Sequence, residues 1–174
     1  TYNSLPLNLL DSDSSNFNLQ FTTGETINTS DLYFKAVKYS NKKIGMRLES
    51  DSSHYVEYIY TINDDYIVNL DIKMIGMNSL IPKNINYINL EWQMKTPQTE
   101  KSKSNQDMYT GMHYQYSADN EVDYLSFSST DDDEINARLN WVAFKQQFFS
   151  AIFIAKEGFE KPTNLSSTKN ENSK

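Results

Sequence analysis

The sequence predicts an all-β fold, an antiparallel sandwich with little helix, and three observations carry the prediction. Apolar and polar residues alternate with a period of two in YIVNLDIKMIG (66–76). There Tyr66, Val68, Leu70, Ile72 and Met74 share one side against Asn69, Asp71 and Lys73, joined by Ile67 and Ile75. NYINLEWQMK (86–95) repeats the pattern, with Ile88, Leu90, Trp92 and Met94 against Asn89, Glu91, Gln93 and Lys95. One apolar face at that period marks an antiparallel sheet packed on one side. The chain also holds 12 Tyr, 9 Phe and 2 Trp, a bias toward strand formers. No window longer than about ten residues keeps a helical period.

Taken in order, weaker alternation marks strands at 17–21, 31–39, 43–49 and 54–62. The last of these meets 66–75 across Asn63–Asp65. Residues paired across strands share a face, so a three-residue loop places Ile62 opposite Tyr66 and Tyr58 opposite Leu70. Asn and Asp tolerate the left-handed backbone such a loop needs. PQTEKSKSNQD (97–107) is polar and aperiodic and reads as a long loop. Strands at 109–117 and 121–128 then flank SADNE, which places Tyr114 opposite Tyr124 and Tyr116 opposite Val122. WVAFKQQFFSAIFI (141–154) is too short and too interrupted for a membrane span. As a helix its apolar residues would circle the whole circumference. As a strand it is apolar on both faces, Val142, Phe144, Phe148 and Ile152 against Trp141, Ala143, Phe149 and Phe153, with KQQ at a bend or bulge. It is expected to be a buried strand in the middle of the sandwich, with Trp141, Trp92 and either Phe144 or Phe148 largely buried. Residues 1–160 read as one domain, and KPTNLSSTKNENSK (161–174) as a polar tail or linker.

Composition narrows the function classes. At 174 residues the chain can bury a sizeable core in one domain. Net charge is −7, and of 16 basic residues only Arg47 and Arg138 are arginines. A nucleic-acid partner would call for a basic face with arginine forks, so that class is set aside. The same balance speaks against adhesion to an anionic membrane surface. With no cysteine, disulfides, thiol nucleophiles and thiolate metal sites are impossible. No signal peptide opens the chain, and no apolar run reaches the length of about 18 residues that a membrane helix needs.

No catalytic, cofactor or metal site is expected. DSDSSN (11–16) starts like a calcium loop, with Asp11, Asp13 and Ser15 at alternate positions. It lacks the glycine at the sixth place, and its twelfth residue is Thr22, so it reads as a turn. DDDE (131–134) has no interleaved amide ligands and reads as a solvated loop. The Asn-x-Ser sequons at Asn28 and Asn164 are chance in so Asn- and Ser-rich a chain. Phosphate-loop, dinucleotide, nucleophile-elbow and zinc signatures are all missing. His54 and Glu57 fall on opposite faces of a strand. His113 is placed opposite Leu125 with Asp123 diagonal, the one His–carboxylate pairing on offer. The aromatics could line a sugar cleft, though Tyr and Trp on inward faces are more often core.

NWVAFKQQFFSAIFI resembles the W-V-A-x-x-Q-Q-(Y/F)-F-x-x-A motif of the periplasmic domain of YidC-type membrane protein insertases of Gram-negative bacteria. The match falls on Trp141, Val142, Ala143, Gln146, Gln147, Phe148 or Phe149, and Ala151. YVEYIYTINDDYIVNLDIKMIGM upstream is similar to that family's paired strands, and the likeness covers roughly residues 17–159. The resemblance implies a β-supersandwich, galactose-mutarotase-like in fold, between two membrane helices of an inner-membrane protein. It also implies a non-catalytic scaffold that contacts Sec translocon components and nascent membrane proteins. Family domains continue with further strands and a helical segment where this chain turns polar, and a sandwich without them would expose a sheet edge. The alternative on the same fold is a carbohydrate-binding or sugar-epimerase-like domain relying on His113.

Overall fold

The computed structural model describes residues 15–22, 25–79, 81–82, 87–96, 98–127 and 130–168. It is mostly antiparallel strands, gathered in two compact units, one within Ser12–Gln93 and the other within Met94–Lys174.

The first unit holds two sheets. Strand β1 (Ser15–Thr22) lies between β2 (Thr26–Asn28) and β7 (Asn89–Met94), and a four-stranded sheet runs in sequence order through β3 (Lys35–Ser40), β4 (Lys43–Asp51), β5 (His54–Ile62) and β6 (Val68–Ile75). Leu19 and Phe21 of β1 and Val56 and Tyr58 of β5 are buried together. Phe34, Met46, Leu70, Met74 and Leu90 pack against them. The ring of Tyr58 meets Phe17 edge-on at 5.8 Å and Phe34 at 5.0 Å. Even-numbered residues of β5 and β6 therefore do face the core. The pairing of Ile62 with Tyr66 is corrected: Ile62 lies opposite Val68 and Tyr58 opposite Ile72. The loop has five residues, closed by the Asn63 N–H donating to the carbonyl of Ile67, and Tyr66 adopts φ 62° at its tip. The slip is two residues, so every side chain keeps its face.

In the second unit one sheet is ordered β12 (Ser150–Phe159), β11 (Leu139–Lys145), β8 (Gly111–Tyr116), β9 (Val122–Ser126). A second sheet pairs β10 (Asp131–Ile135) with β13 (Thr163–Ser167). Five expectations are corrected here. Residues 103–107, read as loop, and Tyr109, read as the start of a strand, belong to the helix α1 (Lys103–Tyr109), whose N-cap Ser102 accepts the N–H of Asn105. The acidic run DDDE is exposed, but as strand β10. Its partner β13 comes from the stretch read as a tail, and each strand sends one apolar residue inward, Ile135 and Leu165. The register of β8 with β9 is off by one, with Tyr114 opposite Asp123 and His113 opposite Tyr124. A four-residue loop, Ser117–Asn120, causes this. The Tyr116 N–H donates to the Glu121 carbonyl, and Asn120 takes the left-handed conformation.

The fifth correction concerns 141–154, which is a hairpin and not one strand. After Lys145 the chain reverses through Gln146–Phe149, the Gln146 N–H donating to the Phe149 carbonyl at 2.7 Å. β12 runs back beside β11 as an edge strand of its sheet. A bulge at Asn140 changes the register between Leu139 and Trp141 against both neighbours. It keeps Leu139, fully buried, on the same face as Val142 and Phe144.

Candidate functional site

The register of the second unit's large sheet sorts its residues into two faces. Phe144, Met112 and Leu125 form a buried row, and Val142, Tyr114 and Asp123 lie beside it. The opposite face carries the rows Ile154–Trp141–Gln115–Val122 and Ile152–Ala143–His113–Tyr124. Ile152, Ile154, Val122 and Tyr124 on it are all more than half exposed, and Trp141 is half-buried. An apolar sheet face open to water is the surface feature that most needs explaining.

Every residue of the sequence motif lies on the β11–β12 hairpin. Trp141 and Ala143 stand on the open face, Ala143 buried between Ile152 and His113. Val142 and Ala151 stand on the inner face, Ala151 opposite Phe144. Gln146 is buried in the turn, Gln147 and Phe149 are half-buried, and Phe148 is 67% exposed. Of the expected core aromatics, Phe144 is buried, while Trp141 and Trp92 are only half so. Phe148 is exposed because the chain turns there instead of continuing as a strand.

The one-residue register change settles the geometry at His113. Asp123 moves to the other face, where its Oδ1 accepts the N–H of Tyr124. The His113 ring stacks on Tyr124, centroids 5.2 Å apart and planes 20° from parallel. Burial holds its pKa below the ordinary imidazole range, and the nearby Lys145 cation lowers it further. The His113–carboxylate pairing weighed for an epimerase does not form. The other histidine, His54, sets Nδ1 2.9 Å from both carboxylate oxygens of Asp51. Asp51 is held below the usual carboxylate range, first by the Ser53 N–H and then by His54.

One cluster that sequence reading missed lies on the β3–β6 sheet, on the face away from the core. Glu57 is fully buried and accepts the Tyr39 hydroxyl at 2.8 Å and Arg47 Nη2 at 3.3 Å on each oxygen. The guanidinium of Arg47 lies over the Tyr55 ring, 4.3 Å from its centroid. Its contact with Glu57 raises Arg47 above the usual range. The bond to Glu57 does the same for the Tyr39 phenol. Gly45 makes the cluster possible, because a Cβ there would overlap Glu57 Oε1 and meet the Tyr39 ring at 3.0 Å. The signal in the sequence was Glu57 between the core residues Val56 and Tyr58. A carboxylate already filled by a guanidinium and a phenol holds a sheet together and leaves no open valence for a substrate.

Among the described residues no group of three His, Asp or Glu is placed to hold a metal, and residues 11–14 of DSDSSN lie outside them. A pocket lined by Gln20, Phe21, Thr22, Ile81, Tyr87, Ile88 and Asn89 has a volume of about 90 Å³. Small-molecule sites usually enclose about 300 Å³ or more, so it does not serve as a sugar cleft. No helix among the described residues is long and apolar enough to cross a membrane.

Comparison with known proteins agrees with the family resemblance. The profile of a family described as the YidC periplasmic domain matches residues 1–173. A Bacteroides fragilis protein named membrane protein insertase YidC is 38% identical over 151 residues, covering 86% of this chain and 24% of that protein. The Parabacteroides distasonis protein of the same name is 38% identical over 167 residues, 94% of this chain and 26% of its own length. That of Phocaeicola vulgatus is 33% identical over 170 residues, 97% and 27%. The chain thus spans about a quarter of the length of these curated relatives. No solved structure matches it.

Proposed function

This chain belongs to the family of YidC periplasmic domains, and from that premise we propose that it is the non-catalytic, extracytoplasmic scaffold of a membrane protein insertase. The match of the family profile across residues 1–173 carries the reading. It acts as part of one periplasmic β-supersandwich of an inner-membrane protein, and it offers a contact surface to Sec translocon components and to membrane proteins during insertion. Two features support this role. His113 meets no carboxylate and the His54–Asp51 pair lies exposed at a strand turn, and the open face of β8, β9, β11 and β12 keeps apolar residues in water, where a partner would gain from covering them. The motif residues Trp141, Val142, Ala143, Gln146, Gln147, Phe148 and Ala151 shape the hairpin that supplies half of that face.

The test is site-specific photocrosslinking from Ile152, in a relative's full-length insertase that carries this chain in place of its own matching segment. Crosslinks to translocon subunits or nascent membrane proteins are expected, and their loss on Ile154→Asp, two residues along the same face, with insertion weakened. Turnover of an aldose by the purified chain, abolished by His113→Ala, would overturn the reading.

A further inference from the structure

One end of the β3–β6 sheet is apolar, lysine-flanked and uncovered, and none of this enters the function proposed above. The core face of β5 and β6 carries apolar residues beyond the reach of the core. Ile44 is paired with Tyr60, and Ile62 faces Val68 one row further out. Beyond them the hairpin tip adds Tyr66 and Ile67. Ile44, Ile62, Ile67 and Val68 are 41–55% exposed, and Tyr66 is wholly so. The adjoining β3–β4 turn lies at the same end, since the Lys42 carbonyl accepts the Ile62 N–H at 2.8 Å. It brings three exposed lysines. Lys38 is opposite Ile44, Lys43 is opposite Thr61, and Lys42 forms an ion pair with Asp64. Lys42 cancels Asp64, which leaves Lys38 and Lys43 against Asp65 alone. In a chain of net charge −7 this end carries a local excess of positive charge.

The backbone adds an independent sign. Tyr66 sits at φ 62°, a conformation bulky side chains rarely adopt, and its wholly exposed side chain is not packed against any of the described residues in a way that would repay the strain. A glycine there would relax the turn, so an aromatic held in water at a strained position is kept for what it meets outside the fold.

We propose that this end of the sheet is a lipid-docking tip. Tyr66, Ile67, Ile62 and Val68 enter the interfacial layer of a bilayer, and Lys38 and Lys43 meet anionic phospholipid headgroups. Tyrosine is at home at the headgroup level, aliphatic side chains enter below it, and lysine spreads its stem along the boundary with the ammonium in water. The apolar residues sit on a protruding hairpin, which pushes between headgroups but offers a protein partner little area to cover. The proposal takes from the proposed function only that the domain works beside a membrane. A chain that is crosslinked to insertion partners yet ignores lipid would refute the tip alone.

The absence of cysteine makes the test clean. An environment-sensitive fluorophore is attached to Ile67→Cys, and separately to Ile152→Cys on the other apolar surface. Each labelled chain is then titrated with mixed phosphatidylethanolamine–phosphatidylglycerol vesicles and with phosphatidylcholine vesicles. A blue shift at position 67 and none at 152, stronger on the anionic vesicles and weakened by salt, is expected. In the unlabelled chain, followed by co-sedimentation, Tyr66→Gly should lower vesicle affinity by about tenfold while leaving thermal stability unchanged or raised. Lys43→Gln should lower it about fivefold. No shift at 67, an equal shift at both positions, or full vesicle affinity in Tyr66→Gly would overturn the proposal. So would self-association of the chain that disappears with Tyr66→Gly, which would make the tip a contact between copies.

Discussion

Thr29 makes the sharpest test of how the first unit is held together. Its side chain is 1% exposed. Its Oγ1 accepts the Leu19 N–H at 2.8 Å and the Tyr58 hydroxyl at 2.8 Å, and donates to Asn18 Oδ1 at 3.3 Å. One hydroxyl thus joins β1 to β5 at the centre of the core. Thr29→Val keeps the shape and removes the oxygen, so the Leu19 N–H and the Tyr58 hydroxyl both lose an acceptor. A buried polar group left unpaired costs about 1–3 kcal/mol, and the added methyl returns up to about 0.8 kcal/mol. Repairing of Tyr58 with the Leu19 amide offsets a further part, which leaves a net loss of about 2–3 kcal/mol. Tyr58→Phe removes one donor and leaves Thr29 bonded to Leu19, so it should cost about 1 kcal/mol. The double variant should fall short of the sum, because the two changes delete the same bond. The assay is urea unfolding followed by tryptophan fluorescence in a Trp141→Phe background, where Trp92 of the first unit is the only reporter. A Thr29→Val cost no greater than that of Tyr58→Phe would refute the reasoning, since the hydroxyl would not be the hub.

Three further outcomes follow from the geometry. Gly45→Ala should destabilise by about 1–3 kcal/mol, because its Cβ must displace the buried Glu57 carboxylate; chemical denaturation checks this, and Glu57→Gly in the same chain should relieve the added Cβ. Phe144→Ala should cost about 3–5 kcal/mol, while Phe148→Ala in the exposed turn should stay within about 0.5 kcal/mol. Burial holds the phenols of Tyr58, Tyr60 and Tyr114 above their ordinary range. The folded state therefore keeps them neutral where the unfolded chain ionises. Stability that is present below the ordinary phenol pKa of 10.0 is lost as pH rises past it. Melting temperatures measured across that range should fall, and Tyr114→Phe should flatten the fall.

What could be read in advance follows from which residues face what. β5 and β6 were legible because alternation is strict where one side meets a core and the other meets water. Their register slipped by two residues with the wrong loop length, but each side chain kept its face because three and five residues preserve parity. Between β8 and β9 the same reasoning failed, since a four-residue loop with Asn120 left-handed reverses parity, and Tyr residues on both faces hid the error. At 141–154 the turn, QQFF, has none of the Gly, Pro, Asn or Asp that announce reversals. The Asn140 bulge further puts an odd-numbered leucine beside even-numbered neighbours. β10 and β13 were invisible because each buries few residues, and DDDE has no apolar alternation to show. Glu57 was assigned to a face by its spacing, but nothing local foretold that Arg47, Tyr39 and the gap at Gly45 would close round it.

The outer rim of β12 has a practical bearing on the purified material. Ten residues long, it has a hydrogen-bonded neighbour on one side only among the described residues, and charge interrupts it only at Lys156 and Glu157. Such a border is a template onto which another molecule's main chain can register, with Ile152 and Ile154 supplying adhesion. Concentration, and not temperature, then sets the limit on keeping the material in solution. A single lysine in place of Ile154 would raise that ceiling while leaving the urea midpoint where it stands, since the side chain it replaces is already 66% exposed.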